Sequence, residues 1–186
     1  MRPRIVLIVT IAALATLTDA VVKALVVAGL SDGSSIDLGL VALRLTYNPG
    51  IAFSLGSRLP PMVVTIVTGG IISAGFTWLL MRARSLNSVS IAGSALLLGG
   101  ALGNFVDRLD GQGVVDYFHT GWFATFNFAD ALITVGVVLL ATGLLTNRTR
   151  QVESAPRSNG ASSKWDKRTS SAIKAVDGYD GTASSE

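Results

Sequence analysis

Two aspartates in the second half of the chain, Asp116 and Asp130, have surroundings suited to acid–base chemistry. Asp116 lies in the apolar stretch 113–118, and Asp130 stands at the start of a long apolar run. Two carboxylates that are close together in a low-dielectric site cannot both ionise easily, so they tend to share one proton. One can then act as a base on water and the other as an acid on a substrate carbonyl. The sequence therefore indicates amide hydrolysis as the candidate chemistry.

Cysteine and histidine are too scarce for the main competing chemistries. The 186-residue chain has no cysteine and a single histidine, His119. Disulfides, thiolate catalysis and cysteine metal sites are thereby excluded. A multi-histidine metal centre or a Ser-His-Asp triad is disfavoured for the same reason.

Further polar side chains lie near the ends of apolar runs. Asp19 and Lys23 are four residues apart, so they share one helix face and can form an ion pair. The remaining members of this set are Asn104, Asp107, Arg108 and Asn127. We expect all of these groups to converge near the outer boundary of the hydrocarbon, because ionisable groups in a membrane need partners, water or a function.

Purely structural roles are open for several of these residues. Asp130 alone can cap the helix that it begins. Asp107 can pair with Arg108 at a helix end, and Asp19 with Lys23 within one helix. A separate aromatic group is expected to form an interfacial belt, which is a common position for such rings. Its members are Tyr117, Trp122 and Phe123.

The elements that must position these groups are membrane helices. About half of the residues (49%) are apolar and only 15% are charged, whereas soluble domains carry about 25% charged residues. A spanning helix needs about 20 mostly apolar residues. The candidate spans are residues 5–30, 62–81, 89–106 and 128–145. The fold class predicted is an all-α polytopic membrane protein with four transmembrane helices and a small β-sheet on its outer face.

The first apolar run has an alternative interpretation as a cleaved signal peptide. Arg2 and Arg4 precede it, and Ala13-Leu14-Ala15 resembles a cleavage site. Apolar character resumes after Asp19, however, and this favours a retained helix.

Lysine and arginine at the helix ends predict the orientation. Basic pairs occur at residues 2 and 4, 82 and 84, and 148 and 150, which four spans place on one side. That side is predicted to be cytoplasmic, with both termini. Because the basic residues flank apolar runs and form no single patch, no nucleic-acid partner is expected despite a net charge of +3.

The outer side would hold residues 31–61 and 107–127. Residues 36–55 are rich in β-formers and predict two or three short strands there. We divide the chain into a membrane domain, 1–147, and a polar tail, 148–186, which is expected to be disordered in the cytoplasm.

Four sequence blocks, taken in order, resemble the bacterial lipoprotein signal peptidase (signal peptidase II) family. The resemblance covers about residues 5–147. The blocks are Asp19-Ala20-Val21-Val22-Lys23, then Asn48-Pro49-Gly50-Ile51-Ala52-Phe53, then Gly103-Asn104-Phe105-Val106-Asp107-Arg108 with Val115-Asp116-Tyr117-Phe118, and finally Phe126-Asn127-Phe128-Ala129-Asp130 with Ile133.

This resemblance implies an intramembrane aspartic endopeptidase in a bacterial cell membrane. It would remove the signal peptide from diacylglyceryl-modified prolipoproteins by cutting before the lipidated cysteine, without a metal or organic cofactor. Asp116 and Asp130 match the family's catalytic aspartates. Residues matching the lining or supporting positions are Asn104, Arg108, Asn127, Asn48, Gly50 and Asp19. We expect a monomer in contact with membrane lipid, with its active site near the outer face.

Three positions depart from the family pattern. Ala20 stands where the family usually has glutamine, and Tyr117 where it usually has phenylalanine. Gln112 replaces a usual glycine but lies between Gly111 and Gly113. These differences bear on loop geometry more than on chemistry.

Two other function classes fit some of the same features. A proton- or ion-coupled transporter also uses intramembrane carboxylates, but the acidic groups here gather at one end and inverted repeats are not evident. A membrane scaffold could use the polar cluster only to fix helix register. A peptidase requires both aspartates and yields a cleaved product, a transporter gives flux, and a scaffold gives neither.

Overall fold

Four long helices dominate the computed structural model, which describes residues 2–49 and 59–153. The helices are α1 (Arg2–Leu30), α2 (Pro61–Arg82), α3 (Ser88–Asp107) and α4 (Phe128–Glu153). Each contains a stretch long and apolar enough to cross a membrane. Many large apolar side chains of α1 and α2 are exposed, as expected for surfaces that face lipid. The predicted four-helix membrane fold is confirmed.

Helix α3 packs between α1 and α4 because its glycines leave no side chain in the way. A Cβ atom on Gly99 would lie 2.6 Å from the Cβ of Ala15 in α1, and one on Gly100 would lie 2.5 Å from the carbonyl oxygen of Ala129 in α4. Gly136 of α4 approaches α3 equally closely, with 2.5 Å from its ideal Cβ to the Leu97 nitrogen. Small residues let helix backbones approach in lipid, where apolar burial gives little driving force. The glycine-rich third run therefore builds the centre of the bundle.

Polar contacts hold the helices together at the end of the bundle where α2 is linked to α3. Asn87 caps α3 by accepting a hydrogen bond from the Ser90 backbone N–H, 2.8 Å away. Its side-chain nitrogen donates to the carbonyl of Gly143 in α4 at the same distance. The Arg4 guanidinium of α1 donates to the carbonyl oxygens of Arg84 and Leu86. The four helices are thus tied together at this end by groups that would otherwise be unsatisfied.

Three short antiparallel strands stand at the other end of the bundle, in the order β1 (Ser35–Asp37), β2 (Ala42–Asn48) and β3 (Val114–His119). The first two lie in the segment predicted to form strands. The third comes from the link between α3 and α4, where no strand was predicted. In the β2–β3 ladder Thr46 pairs with Asp116 and Asn48 with Val114. This register brings Asn48 beside Asp116.

The turn that leads into β3 depends on glycine. Gly111 and Gly113 have φ values of 78° and 99°, in the region that L side chains rarely adopt. At Gly113 an added Cβ would also collide with the Asn48 carbonyl oxygen. Gln112 lies between them and donates its backbone N–H to Asp110 Oδ1. The departure from the family pattern at position 112 therefore leaves both required glycines in place.

Two sequence predictions include residues that the structure does not describe. The predicted strand segment and the site residue Gly50 extend into residues 50–58, and the predicted tail includes residues 154–186. Helix α4 continues to Glu153, so residues 148–153, which were assigned to the tail from the sequence, are helical. The disorder predicted for the remainder stays a prediction.

Replacing Gly103 by alanine should destabilise the protein, because the new Cβ would lie 2.5 Å from Asp19 Oδ2. Overpacking of this kind costs about 1–3 kcal/mol. Gly70→Ala is the matched control, since Gly70 lies within α2 and a Cβ there meets nothing within 4 Å. Thermal unfolding in detergent should show a lower midpoint for Gly103→Ala only. Equal midpoints for the two variants would contradict the packing described.

Candidate active site

Five elements bring polar side chains together where α1 and α3 end and α4 begins. Strand β3 is held to the start of α4 by backbone hydrogen bonds, since the N–H groups of Tyr117 and Phe118 both donate to the carbonyl of Phe126. Asn127 and Asp130 follow directly and so face the strand. The other contributions come from α1, α3 and β2. The predicted convergence of polar groups is observed for all the site residues that the structure describes.

The Asp116 carboxyl is buried, with only 2% of the residue exposed. Its Oδ1 accepts a hydrogen bond from Asn127 Nδ2 at 2.7 Å, and its Oδ2 accepts one from Asn48 Nδ2 at 3.0 Å. Burial raises the pKa of Asp116 from 3.8 to about 6, and the charge of Asp130 adds to the rise against the opposing effect of the two amides. The group is therefore able to hold a proton at mildly acidic pH.

Asp130 lies in the first turn of α4 and takes part in its cap. The Asn127 backbone N–H donates to Asp130 Oδ2 at 3.2 Å, and the Asp130 backbone N–H donates to Asn127 Oδ1 at 3.0 Å. This reciprocal pair has the form of a capping box. The capping role suggested by the sequence is thus confirmed, but it occupies only one carboxyl oxygen. The other oxygen, Oδ1, accepts a hydrogen bond from Asn104 Nδ2 at 2.7 Å.

Two buried amides connect the aspartates. Asn127 Nδ2 donates both to Asp116 Oδ1, at 2.7 Å, and to Asn104 Oδ1, at 3.1 Å. Asn104 in turn donates to Asp130. Asp116 and Asp130 therefore belong to one hydrogen-bond network, and Asp130 is near enough for its charge to act on the Asp116 proton. Such an arrangement places two carboxyl groups in one site, where the charge of one disfavours the charge of the other.

A second cluster, formed by Asp19, Lys23 and Asp107, lies against this network. Lys23 Nζ is 2.7 Å from Asp19 Oδ2 and 2.7 Å from Asp107 Oδ2. The Asp19–Lys23 pair predicted from the four-residue spacing is therefore confirmed. Asp107 pairs with Lys23, and not with its neighbour Arg108 as the sequence had suggested. Arg108 Nη1 donates instead to the backbone oxygen of Asn104 at 2.7 Å.

The same cluster ties the helices to the strand. Asp19 Oδ1 accepts from the backbone N–H of Ala129 in the first turn of α4, at 3.0 Å. Asp107 Oδ2 accepts from the backbone N–H of Val115 in β3, at 3.1 Å. Both carboxylates thus position elements that carry Asp116 or Asp130. Lys23 also donates to Asn104 Oδ1 at 3.1 Å, a contact across 81 residues that no local spacing could reveal.

The prediction that Tyr117 belongs to an interfacial aromatic belt is wrong. Its side chain is buried, and its Oη accepts a hydrogen bond from the backbone N–H of Phe128 at 3.1 Å. Burial raises the pKa of Tyr117 to about 12, so the phenol stays protonated. Trp122 and Phe123 are exposed, at 85% and 52%, as a belt requires. Tyr117 is instead a link between β3 and α4 that the sequence did not indicate.

The acidic groups of the site can also be compared with the clusters that hold metal ions. Within residues 2–49 and 59–153 there is no group of three or more His, Cys, Asp or Glu side chains arranged to hold an ion. The acidic groups of the site are instead bonded to amides, backbone N–H groups and a lysine. Gly50 lies outside the described residues.

Comparisons with known proteins agree with the geometry. The profile of the family described as Signal peptidase (SPase) II matches residues 11–146. A lipoprotein signal peptidase of Rhodococcus jostii (strain RHA1) is 37% identical over 147 residues, which is 74% of this chain and 71% of that protein. One from Mesorhizobium japonicum is 39% identical over 142 residues, which is 74% of this chain and 84% of that protein. A solved bacterial membrane enzyme, determined by the in meso method at 2.3 Å resolution, superimposes with a TM-score of 0.65 at 27% identity, covering 77% of this chain and 90% of that one.

The raised pKa of Asp116 predicts a pH-dependent stability. Between about pH 4 and pH 6 the unfolded chain carries the Asp116 charge and the folded protein does not, so stability falls by about 1.4 kcal/mol per pH unit as pH rises. Asp116→Asn cannot titrate there. The unfolding midpoint of the wild type relative to Asp116→Asn should therefore drop across this window and level off above it. A difference that stays constant with pH would show that the carboxyl is not desolvated as described.

Proposed function

This chain belongs to the signal peptidase II family of aspartic peptidases, the lipoprotein signal peptidases, and we propose that Asp116 and Asp130 are its catalytic pair. In this proposal they cut the signal peptide from a prolipoprotein immediately before a cysteine that carries a diacylglyceryl group. The observation that carries the assignment is the pair of buried amides, Asn104 and Asn127, that joins the two carboxyl groups.

The environments of the two aspartates support different roles. Asp116 is the more deeply buried, and burial raises its pKa to about 6, which suits a general acid. Asp130 lies in the first turn of α4, where the positive end of the helix dipole faces its carboxyl group, and this position suits a base. In our proposal Asp130 is therefore the base that activates water, and Asp116 protonates the scissile carbonyl.

Atoms and protons balance in this scheme. Water adds to the scissile carbonyl carbon while its proton passes to Asp130, and the Asp116 proton goes to the carbonyl oxygen. The tetrahedral intermediate then expels the cysteine nitrogen, which leaves as an amine with the proton held on Asp130, while the oxygen returns its proton to Asp116. The products are a signal peptide with a new carboxyl group and a lipoprotein with a new amino terminus.

The remaining predicted site residues are proposed to support this pair. Asn48 holds Asp116 from β2, and Arg108 holds the backbone of Asn104 from the end of α3. Asp19 holds the first turn of α4 through the Ala129 N–H. Gly50, two residues after Asn48, lies outside the described residues and stays a predicted supporting residue on the family resemblance.

The position of the site suits a substrate that is itself anchored in lipid. The polar network lies at one end of four apolar helices, beside the small sheet. We propose that this end faces outwards, that both termini are cytoplasmic, and that the substrate enters laterally from the membrane. A monomer is sufficient for the scheme, since one chain supplies both aspartates and every contact named above.

Loss of either aspartate should abolish cleavage. We expect Asp116→Asn and Asp130→Asn to lower the rate by at least about 10³-fold at matched folded amounts, because each removes one half of the acid–base pair. The assay is a gel-shift measurement with a diacylglyceryl-modified prolipoprotein in detergent or lipid.

Asp37→Asn is the matched control for this assay. Asp37 is an exposed carboxylate in β1, and its Oδ1 accepts only a local backbone bond from Gly39 among the contacts described. This variant should cleave like the wild type. Cleavage that survives Asp116→Asn or Asp130→Asn would overturn the assignment of that residue.

The proposed orientation can be tested because the chain has no cysteine. Ser34→Cys, in the exposed turn before β1, should react with a membrane-impermeant maleimide added outside spheroplasts. Ser85→Cys, in the exposed turn between α2 and α3, should react only after the membrane is permeabilised. The reverse pattern would place the site on the cytoplasmic side.

A further inference from the structure

Lys23 is a buried cation for which neither the sequence motifs nor the proposed chemistry assigns a role in the reaction. The residue is 3% exposed, and its ammonium group is held by three oxygens, those of Asp19, Asp107 and Asn104. The contacts with Asp19 and Asp107 are ion pairs, whereas the contact with Asn104 is a hydrogen bond to the amide that in turn contacts Asp130.

The contact with Lys23 determines which way the Asn104 amide group points. Because Lys23 can only donate, the Asn104 side chain must turn its oxygen towards it, and Asn127 Nδ2 donates to the same oxygen. The Asn104 nitrogen is then left facing Asp130 Oδ1, at 2.7 Å. If the Asn104 amide turned by half, its nitrogen would face the Lys23 ammonium group and its oxygen would face Asp130 Oδ1, so that donor would meet donor and acceptor would meet acceptor.

We propose that Lys23 is a positioning residue for the aspartate pair. It fixes the Asn104 amide so that its nitrogen always donates to Asp130 Oδ1, which keeps that oxygen free of a proton and ready to accept one from water. Its positive charge also favours the state in which the pair carries one negative charge. This inference rests on the proposed function, because it concerns how the same site is prepared for reaction.

The charges around the pair agree with this role. Burial is the main reason for the raised pKa of Asp116, and the Lys23 cation is among the groups that limit the rise. Arg108 is near enough to Asp107, Asp116 and Asp130 to interact with their charges. The titratable and charged groups that face Lys23 and the pair are Asp19 from α1, Asp107 from α3, Arg108 after it, Asp116 and Tyr117 from β3, and Asp130 from α4.

The test is the variant Lys23→Met, assayed for cleavage over a range of pH. We expect kcat to fall roughly 10- to 100-fold while KM changes little, since the loss is one of alignment at the reacting groups. We also expect the pH–rate profile to move to higher pH, on the order of half a unit, because a cation near the carboxyl groups has been removed.

Gly99→Ala is the control for simple structural damage. It overpacks α3 against α1, with the new Cβ 2.6 Å from the Cβ of Ala15, but it meets no charged group. It should lower the unfolding midpoint without moving the pH–rate profile. A fall in the kcat of Lys23→Met with an unmoved profile, or unchanged kinetics altogether, would overturn the proposal.

Lys23→Met leaves two buried carboxylates without their cation and can fail to fold. The double variant Lys23→Met/Asp107→Asn removes one charge of each sign, and the new amide oxygen can still accept from Val115. It should keep the loss of kcat, because Asn104 still lacks its contact with Lys23, and it should show a smaller displacement of the pH–rate profile. Wild-type kcat in the double variant would overturn the orienting role.

An infrared titration of the protonated carboxyl group gives a readout without substrate. The band lost in Asp116→Asn identifies the Asp116 proton, and its midpoint should rise in Lys23→Met. If the aspartate variants retain cleavage, the proposed function fails, yet this midpoint still reports whether Lys23 acts on Asp116. An unmoved midpoint in a folded variant would overturn the electrostatic part of the inference.

Discussion

Polar groups buried at the end of an apolar bundle must satisfy one another, and this requirement shapes the whole site. Removing a charge from water costs several kcal/mol unless partners replace the lost hydration. Here every carboxyl oxygen of Asp116 and Asp130 accepts a hydrogen bond, and the Lys23 ammonium group pairs with two carboxylates and donates to the Asn104 amide. The direction of each amide follows from its neighbours. The result is a site whose geometry is determined before a substrate arrives, which is the condition for electrostatic catalysis.

That polar network can form only because the helices approach closely. Gly103 lies against Asp19, and Gly100 lies against the first turn of α4, so that α1 and α4 both approach α3 closely near the polar network. The sheet adds the remaining constraint, since the β2–β3 register sets Asn48 beside Asp116. Backbone packing, strand pairing and side-chain bonding therefore act on the same few residues. A change in any of them therefore alters the positions of both carboxyl groups.

The sequence was sufficient for features that depend on local composition or on a short motif. Apolar runs of about 20 residues predicted the four helices, and the settings of Asp116 and Asp130 predicted that the two carboxyl groups lie in one site. It was insufficient where a role depends on a distant partner. The third strand, the burial of Tyr117 and the link from Lys23 to Asn104 all arise from contacts across the fold. Asp107 shows the same limit, because proximity in sequence to Arg108 suggested the wrong partner.

The ion pair between Asp19 and Lys23 has a consequence for biosynthesis. Both residues belong to α1, whereas their other partners, Asn104, Asp107 and the Ala129 N–H, belong to segments made much later. Asp or Lys at the centre of a helix that enters the membrane alone costs about 2.5–3.5 kcal/mol. A counter-ion one turn away lowers this cost, because the two charges can pair within α1 before its other partners are made. The pair that supports the site in the folded protein thus also makes the first helix less costly in lipid on its own.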